Sequence, residues 1–259
     1  MRGPRVWERW VAGALLGCLG VLLLINTADG SRVIAGNLVV DLDLSSAPDK
    51  LPRHEDAPIV FWGSGKFGTR DGTTPPPLAE MNFEVDKFGH LETRGLPACS
   101  RAKLTATTVP QARKLCPGAI VGTGTGRGII EFPEQAPIPA QTPLTFFNGP
   151  RIGGDSSLII HAHLTVPAPT TYLVPLRIES ISRGVYGFRV KSKIPLIAGG
   201  AGSVTSFDFR LDRAWQFKGE ELHYIYARCP IGRLQALIEV RFKDESGVRG
   251  HFVEPCQAR

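Results

Sequence analysis

Two histidines, His161 and His163, are the side chains best suited to chemistry, because only Ala162 separates them. In a β-strand, side chains two positions apart point to the same face, so both imidazoles could bind one metal ion. A third ligand would have to come from a neighbouring strand, and three residues have a suitable type: His223, His251 and Asp155. The spacing therefore supports a hydrolase or other metal-dependent enzyme that uses His161 and His163 as one possible function.

The same spacing also fits a strand that binds no metal, in which both histidines face solvent and the alternate residues face inward. The inward set would be Ile160, Ala162 and Leu164. We favour this second interpretation. We predict no catalytic residue, no cofactor and no metal, with His161 and His163 kept as weak metal candidates.

Three other patterns invite a catalytic or phosphate-binding interpretation, and none of them meets its requirements. The alternating glycines of residues 122–128 do not have the G-x-G-x-x-G spacing, and the lysine of a P-loop is absent. Ser64 lies between two glycines without the leading glycine of a nucleophile elbow. Glu84 and Asp86 share a strand face, as ordinary solvated carboxylates do. Alternating glycines in a strand more often mark a close backbone approach or a large facing side chain.

Cysteine spacing indicates two disulfide bonds. Four cysteines lie beyond the N-terminal segment: Cys99, Cys116, Cys229 and Cys256. An even number suits an oxidising compartment, and no Cys-x-x-Cys spacing suggests zinc. Of three possible pairings we favour the two that are near in sequence, which would each contribute on the order of 3 kcal/mol by closing a loop.

The elements that must position these residues are mostly strands. Glycine (29) and proline (21) make up nearly a fifth of the 259 residues and are spread along the chain, which favours short strands joined by turns. Alternating segments such as Asn37–Leu44 and Met81–Val85 support about ten strands. We predict an all-β sandwich or barrel of about ten antiparallel strands. One short helix is predicted near Cys116, with Thr108 as its cap and Pro110 near its first turn.

One pair of strands can be placed in register from the sequence. Arg189, Lys191 and Lys193 alternate in one segment, and Asp208 and Asp212 lie in the next. A hairpin about the glycine-rich turn 198–202 would set Arg189 opposite Asp212 and Lys193 opposite Asp208. Such pairing accounts for the densest basic stripe. Since the net charge beyond residue 30 is only +5, no nucleic-acid partner is predicted.

The N-terminus is predicted to be an export signal. Basic residues up to Arg9 precede an apolar run from Trp10 to Ile25, and the next charge is Asp29. The uncharged stretch Trp10–Ala28 would reach about 28 Å as a helix, close to the thickness of a membrane core, which slightly favours a retained anchor. The alternatives are cleavage before Ser31, or lipid attachment at Cys18.

Domain boundaries follow from this pattern. Residues 1–30 are the signal peptide or signal anchor and N-terminal membrane helix, 31–58 a first strand and linker, and 59–259 an extracytoplasmic β domain. The expected partners are a membrane through the N-terminal segment and, beyond it, an envelope polymer or another protein. Six aromatic residues could supply a sugar-binding platform, although most aromatics of a β domain belong to its core. They are Trp62, Tyr172, Tyr186, Trp215, Tyr224 and Tyr226.

Several short motifs occur between Leu51 and Cys256. They are Thr74-Pro-Pro-Pro-Leu78, Val85-Asp86-Lys87-x-Gly89, Thr93-Arg-Gly-Leu-Pro-Ala-Cys99, Cys116-Pro-Gly-Ala119, Val121-Gly122-Thr-Gly124, Phe147-Asn-Gly149, Ile197-Ala-Gly-Gly200 and Cys229. As a set they resemble a family of uncharacterised exported proteins of high-GC Gram-positive bacteria, although the N-terminus departs from that family's plainer signal peptides. The resemblance implies export, a β-rich fold and paired cysteines, and it implies no activity. The expected function is an envelope-associated, non-enzymatic binding or structural role.

Overall fold

The computed structural model describes residues 31 to 258. The predicted export segment, its retention or cleavage, and Cys18 lie outside the described residues. None of the helices in the described part of the chain is long and apolar enough to cross a membrane.

Residues 31 to 258 form nineteen strands and two short α-helices. The strands are β1 (Ser31–Ala35), β2 (Leu38–Ala47), β3 (Lys50–Leu51), β4 (Ala57–Pro58), β5 (Val60–Thr69), β6 (Leu78–Asp86), β7 (Gly89–Leu91), β8 (Ile120–Ile130), β9 (Ile138–Ile152), β10 (Asp155–Leu164), β11 (Thr170–Arg183), β12 (Tyr186–Ser192), β13 (Gly202–Leu211), β14 (Ala214–Phe217), β15 (Glu220–His223), β16 (Ile225–Ala227), β17 (Arg233–Phe242), β18 (Gly247–Pro255) and β19 (Gln257–Ala258). The helices are α1 (Arg101–Leu104) and α2 (Val109–Leu115), with 3-10 turns at Pro117–Ala119 and Ala198–Gly200.

Twelve of these strands build one antiparallel sheet that nearly closes on itself. Their order is β1-β2-β5-β13-β8-β9-β10-β11-β12-β6-β17-β18. The predicted all-β class is confirmed. Of the predicted sandwich and barrel, the large, nearly closed sheet fits the barrel, because a sandwich would consist of two sheets packed face to face. The predicted number of about ten strands is too low, since the large sheet alone has twelve.

Glycines on β5 make room for two stacked aromatic rings of β13, and glycines on β8 let its backbone approach β13 closely. Phe207 and Phe209 of β13 have ring centroids 6.3 Å apart, and they pair with Gly65 and Gly63 of β5 on one side. On the other side β13 pairs with the alternating glycines of β8. A Cβ atom at Gly63 would lie 2.9 Å from the Phe209 ring. At three of the four alternating glycines of β8, a Cβ atom would instead meet the backbone of β13. These glycines therefore mark a close backbone approach, as predicted.

The two disulfide bonds are Cys99–Cys116 and Cys229–Cys256, which confirms the predicted pairing. The first closes a covering segment, residues 99–119, that contains α1 and α2 and packs on the outer face of β9 and β10. Helix α2 begins with the predicted cap: the Thr108 hydroxyl accepts from Gln111 N, and the Gln111 side chain accepts from Thr108 N.

The predicted hairpin between residues 189 and 212 is wrong. Strand β12 pairs with β11 and β6, whereas β13 pairs with β5 and β8. Arg189 lies opposite Glu84, and its Nη2 is 2.7 Å from Glu84 Oε1. Burial raises the pKa of Glu84, but the hydrogen bond from Arg189 and the charge of Arg183 outweigh it and lower the pKa overall. Lys191 Nζ is 2.9 Å from Glu179 Oε2, so two of the three basic side chains are paired within the chain, with strands other than the predicted one.

The segment 31–58, predicted as a first strand and linker, contributes β1 to β4. Its longest strand, β2, pairs with β5 along its whole length. Alternate residues of β2 point into the sheet, as the sequence predicted, and Leu38, Val40 and Leu42 are buried.

Candidate functional site

The interior of the sheet holds a large apolar cavity, which we regard as the candidate site. Its volume is about 1190 Å³. Eight strands enclose only enough space for their own side chains, and more strands enclose more. A twelve-stranded sheet can therefore leave an interior that its side chains do not fill.

Inward-facing side chains around the cavity are only partly buried, although they lie on the inside of the sheet. They include Leu144, Ile160, Ala162, Val174, Phe188 and Val190. Packed protein interiors leave few voids larger than one water molecule. The partial exposure of these apolar walls therefore reflects open space beside them. Side chains toward one end of the sheet, such as Phe242 and Ile130, are fully buried.

The two edges of the sheet meet along a line where no backbone hydrogen bond joins β1 to β18 within residues 31–258. Over part of its length this line is closed by apolar packing, because Val33 covers Gly250. Within the described residues, which begin at Ser31, strand β1 pairs with β2 as far as Leu42. Beyond that point, among residues 31–258, no strand lies between Asp43–Ala47 of β2 and His251–Pro255 of β18, and we call this boundary the seam.

The cavity reaches the seam. Its lining includes edge residues of both strands: Arg32, Asp43, Ser45, Ser46, His251, Val253, Glu254 and Pro255. Two hydrogen bonds cross the seam: Glu254 Oε1 accepts from Ser46 N at 2.7 Å and from Ser46 Oγ at 3.3 Å. Burial raises the pKa of Glu254, and the charges of Asp43 and Asp49 raise it further. The seam therefore carries acidic groups of a cavity wall whose side chains are mostly apolar.

A third carboxyl group lines the cavity where β6 ends. Asp86 is buried, and its oxygens accept from the backbone N–H groups of Phe88 (3.0 Å) and Gln235 (3.1 Å). Burial raises its pKa. Because Gln235 pairs with Val253, which precedes Glu254, the carboxyl groups of Asp86 and Glu254 lie toward the same end of the sheet.

The two histidines lie on the outer face of β10 and not in the cavity. The inward residues Ile160, Ala162 and Leu164 line the cavity, as the sequence predicted. The expectation that both histidines face solvent is wrong for His161, which is fully buried beneath the covering segment. Sequence alone did not show that this segment would fold over the strand.

Hydrogen bonds show what the histidines do there. The Thr107 hydroxyl donates to Leu104 O, so it accepts from His161 Nε2 at 3.0 Å. His161 Nε2 is also 3.0 Å from Thr107 O, a second acceptor, which places the proton on Nε2. His163 Nδ1 contacts the Thr171 hydroxyl, which itself donates to Thr107 O. His161 therefore ties the covering segment to the sheet directly, and His163 does so only through the Thr171 hydroxyl.

This arrangement does not favour the metal-dependent alternative. His161 Nε2 is a hydrogen-bond donor to the covering segment, so only Nδ1 has a lone pair, and Nδ1 is fully buried. Within residues 31–258 no group of three histidine, cysteine or carboxylate side chains is placed to hold a metal ion.

Protonation of His161 is expected to destabilise the fold. Its Nδ1 is buried without a partner in the described part of the chain, and burial, followed by the nearby charges of His163 and Arg113, lowers its pKa. The unfolded chain then takes up the proton first. Stability should be fully present above about pH 6.5 and fall below it, by at most about 1.4 kcal/mol per pH unit.

Chemical unfolding at several pH values measures this effect. His161→Gln, which keeps a donor for Thr107, should flatten the profile below pH 6.5, whereas His54→Gln, at an exposed loop position, should leave it unchanged. Equal profiles for wild type and His161→Gln would show that another group causes the acid sensitivity.

The six aromatic residues do not form one platform. Trp62 lies beneath the Arg210 guanidinium at 5.8 Å, Tyr186 contacts His251, and Tyr172 accepts from Ala198 N. Tyr224 is 2% exposed, and its hydroxyl has no partner within residues 31–258. Burial raises its pKa. Only Tyr172 and Tyr224 of the six belong to the cavity wall.

The chain was compared with protein-family models, with curated proteins and with solved structures, and none of the three comparisons gave a match.

Proposed function

We propose that this chain is an exported, non-enzymatic binding module that holds a long-chain apolar molecule inside its sheet. The cavity carries the proposal. It slightly exceeds the usual range of ligand pockets, about 300–1,000 Å³, and its walls are predominantly apolar. An apolar cavity offers water few hydrogen-bond partners, so filling it with an apolar molecule gains both hydrophobic and packing free energy.

Export is the second part of the proposal. Two disulfide bonds are consistent with an oxidising compartment outside the cytoplasm. The basic and then apolar N-terminal sequence supports transport across a membrane, and the resemblance to exported proteins of high-GC Gram-positive bacteria points the same way.

The position of the seam connects ligand binding with export. Strand β1 ends its pairing at the seam with Ser31, and the apolar stretch Trp10–Ala28 ends just before it in sequence. A chain that keeps this segment as an anchor would hold the seam close to a membrane surface, from which an apolar molecule could reach the cavity. An enzyme built on His161 and His163 is the weaker alternative, because His161 Nε2 bonds the covering segment and His163 Nδ1 contacts Thr171.

Native mass spectrometry of the full chain, purified from producing cells, tests the proposal directly. A long-chain alkane or alcohol added to the protein should appear as a one-to-one complex, and the bound form should unfold at a higher temperature than the free form. If no long-chain molecule co-purifies or binds at ligand concentrations up to the millimolar range, the binding function is wrong.

A further inference from the structure

The charges on the cavity wall restrict what kind of head group the ligand can carry. The lining contains three carboxylates, Asp43, Asp86 and Glu254. Its basic side chains are Arg32 and Arg127. Arg32 Nε is 3.6 Å from Asp41, and Arg127 Nη1 is 3.4 Å from Asp208. Both guanidinium groups are largely exposed, and each has a carboxylate as its neighbour on the adjacent strand.

The two histidines of the lining also have partners. His90 Nδ1 lies 3.3 Å from Asp56, and its ring stacks on Tyr226. His251 Nδ1 contacts the Tyr186 hydroxyl at 3.2 Å and is exposed. Among residues 31–258, an anionic head group at the seam would therefore meet Asp43 and Glu254, whereas the basic side chains of the lining already have carboxylate or hydroxyl partners. Bringing like charges together out of water is unfavourable.

From this wall chemistry, and building on the proposed binding function, we infer that the ligand is an amphiphile with a hydrogen-bond-donating, non-anionic head group, bound at Glu254. The tail occupies the apolar cavity, and the head lies at the seam. Glu254 Oε1 already accepts from Ser46, whereas Oε2 accepts no hydrogen bond within residues 31–258. Oε2 is thus available to an ammonium or hydroxyl group. Charge-assisted hydrogen bonds are the stronger kind, so an amine should bind more tightly than an alcohol.

Three ligands with the same sixteen-carbon chain separate the head group from the tail. Hexadecylamine, hexadecanol and palmitate are offered in equal amounts to the full chain in one uncharged detergent near pH 7, and bound masses are counted by native mass spectrometry. The amine should exceed palmitate at least tenfold, with the alcohol between them. Glu254→Gln keeps an acceptor for Ser46 and removes the charge, so the preference for amine over alcohol should fall about fivefold.

Two further variants make the test specific. Glu239→Gln removes a carboxylate that lies 3.2 Å from Arg249 on the outer face of the same sheet, and it should leave all three ratios unchanged. Glu254→Lys should reverse the order and favour palmitate. Equal binding of palmitate and amine, or a preference that Glu254→Gln does not change, would overturn the head-group inference while leaving the binding function standing. Failure of all three ligands to bind would instead overturn the binding function itself.

Discussion

Filling the cavity with two phenylalanine rings is expected to reduce binding of a long-chain ligand at least tenfold. The variant is Ala162→Phe combined with Ala236→Phe, on β10 and β17. Both alanines line the cavity and are partly exposed to it. The added rings enter open space, so they should displace the ligand without crowding the wall. Burying the hydrocarbon tail of a long-chain ligand contributes several kcal/mol to its binding free energy, and a tenfold change in affinity corresponds to only about 1.4 kcal/mol.

A matched control places the same two rings outside the sheet. Thr123 and Gln141 are exposed on the outer faces of β8 and β9, and changing both to phenylalanine should leave binding near the wild-type value. Bound mass and the thermal shift on ligand addition are measured for both proteins. The interior variant should be at least as stable as wild type without ligand, because its rings gain contacts in a void. Unchanged binding by a folded interior variant would place the ligand elsewhere.

Sequence reasoning succeeded where the determining contacts are close along the chain. The inward set Ile160, Ala162 and Leu164 follows from alternation alone, since the pleat of a strand fixes it. The cap of α2 depends on residues three positions apart. The disulfide pairs join cysteines 17 and 27 positions apart, which is near enough for proximity to favour them.

Sequence reasoning failed where partners are distant. Arg189 could pair with any acidic strand face, and Glu84, 105 positions away, is its partner because β6 lies beside β12 in the sheet. The burial of His161 depends on where the covering segment packs. The cavity depends on how many strands the sheet contains, and each strand gives only a weak signal. Small inward residues such as Gly126 and Ala162 were the available hint of space inside, but small residues also permit close packing.

Glu254 illustrates how one residue can serve both the fold and the proposed site. Strand β2 has no strand partner on its seam side beyond Leu42 within residues 31–258, so the backbone N–H of Ser46 would otherwise lack an acceptor there. The Glu254 carboxylate supplies one across the seam. The group that closes the seam is therefore also the group that an incoming head group would meet first.

The most severe loss of stability is expected from adding a single methyl group to β8. A Cβ atom at Gly124 would overlap the carbonyl oxygen of Asp208 and lie 3.0 Å from Phe209 Cα. Those atoms belong to the backbone of β13, so no side-chain rotation can relieve the contact. The two strands would have to separate where they are hydrogen-bonded in register. Gly124→Ala should cost about 3 kcal/mol or more, a large part of the stability of an ordinary domain.

Gly68→Ala is the matched control, because it is the same substitution at a strand position of the same sheet. No atom lies within 4 Å of its added Cβ, and its backbone conformation does not require glycine. Its effect should stay within about 0.5 kcal/mol, or be slightly stabilising through the unfolded state. Urea unfolding of the two variants, with disulfides intact, gives both values. A difference below about 1 kcal/mol would mean that β8 and β13 approach each other less closely than described, and the steric explanation of the alternating glycines would fail with it.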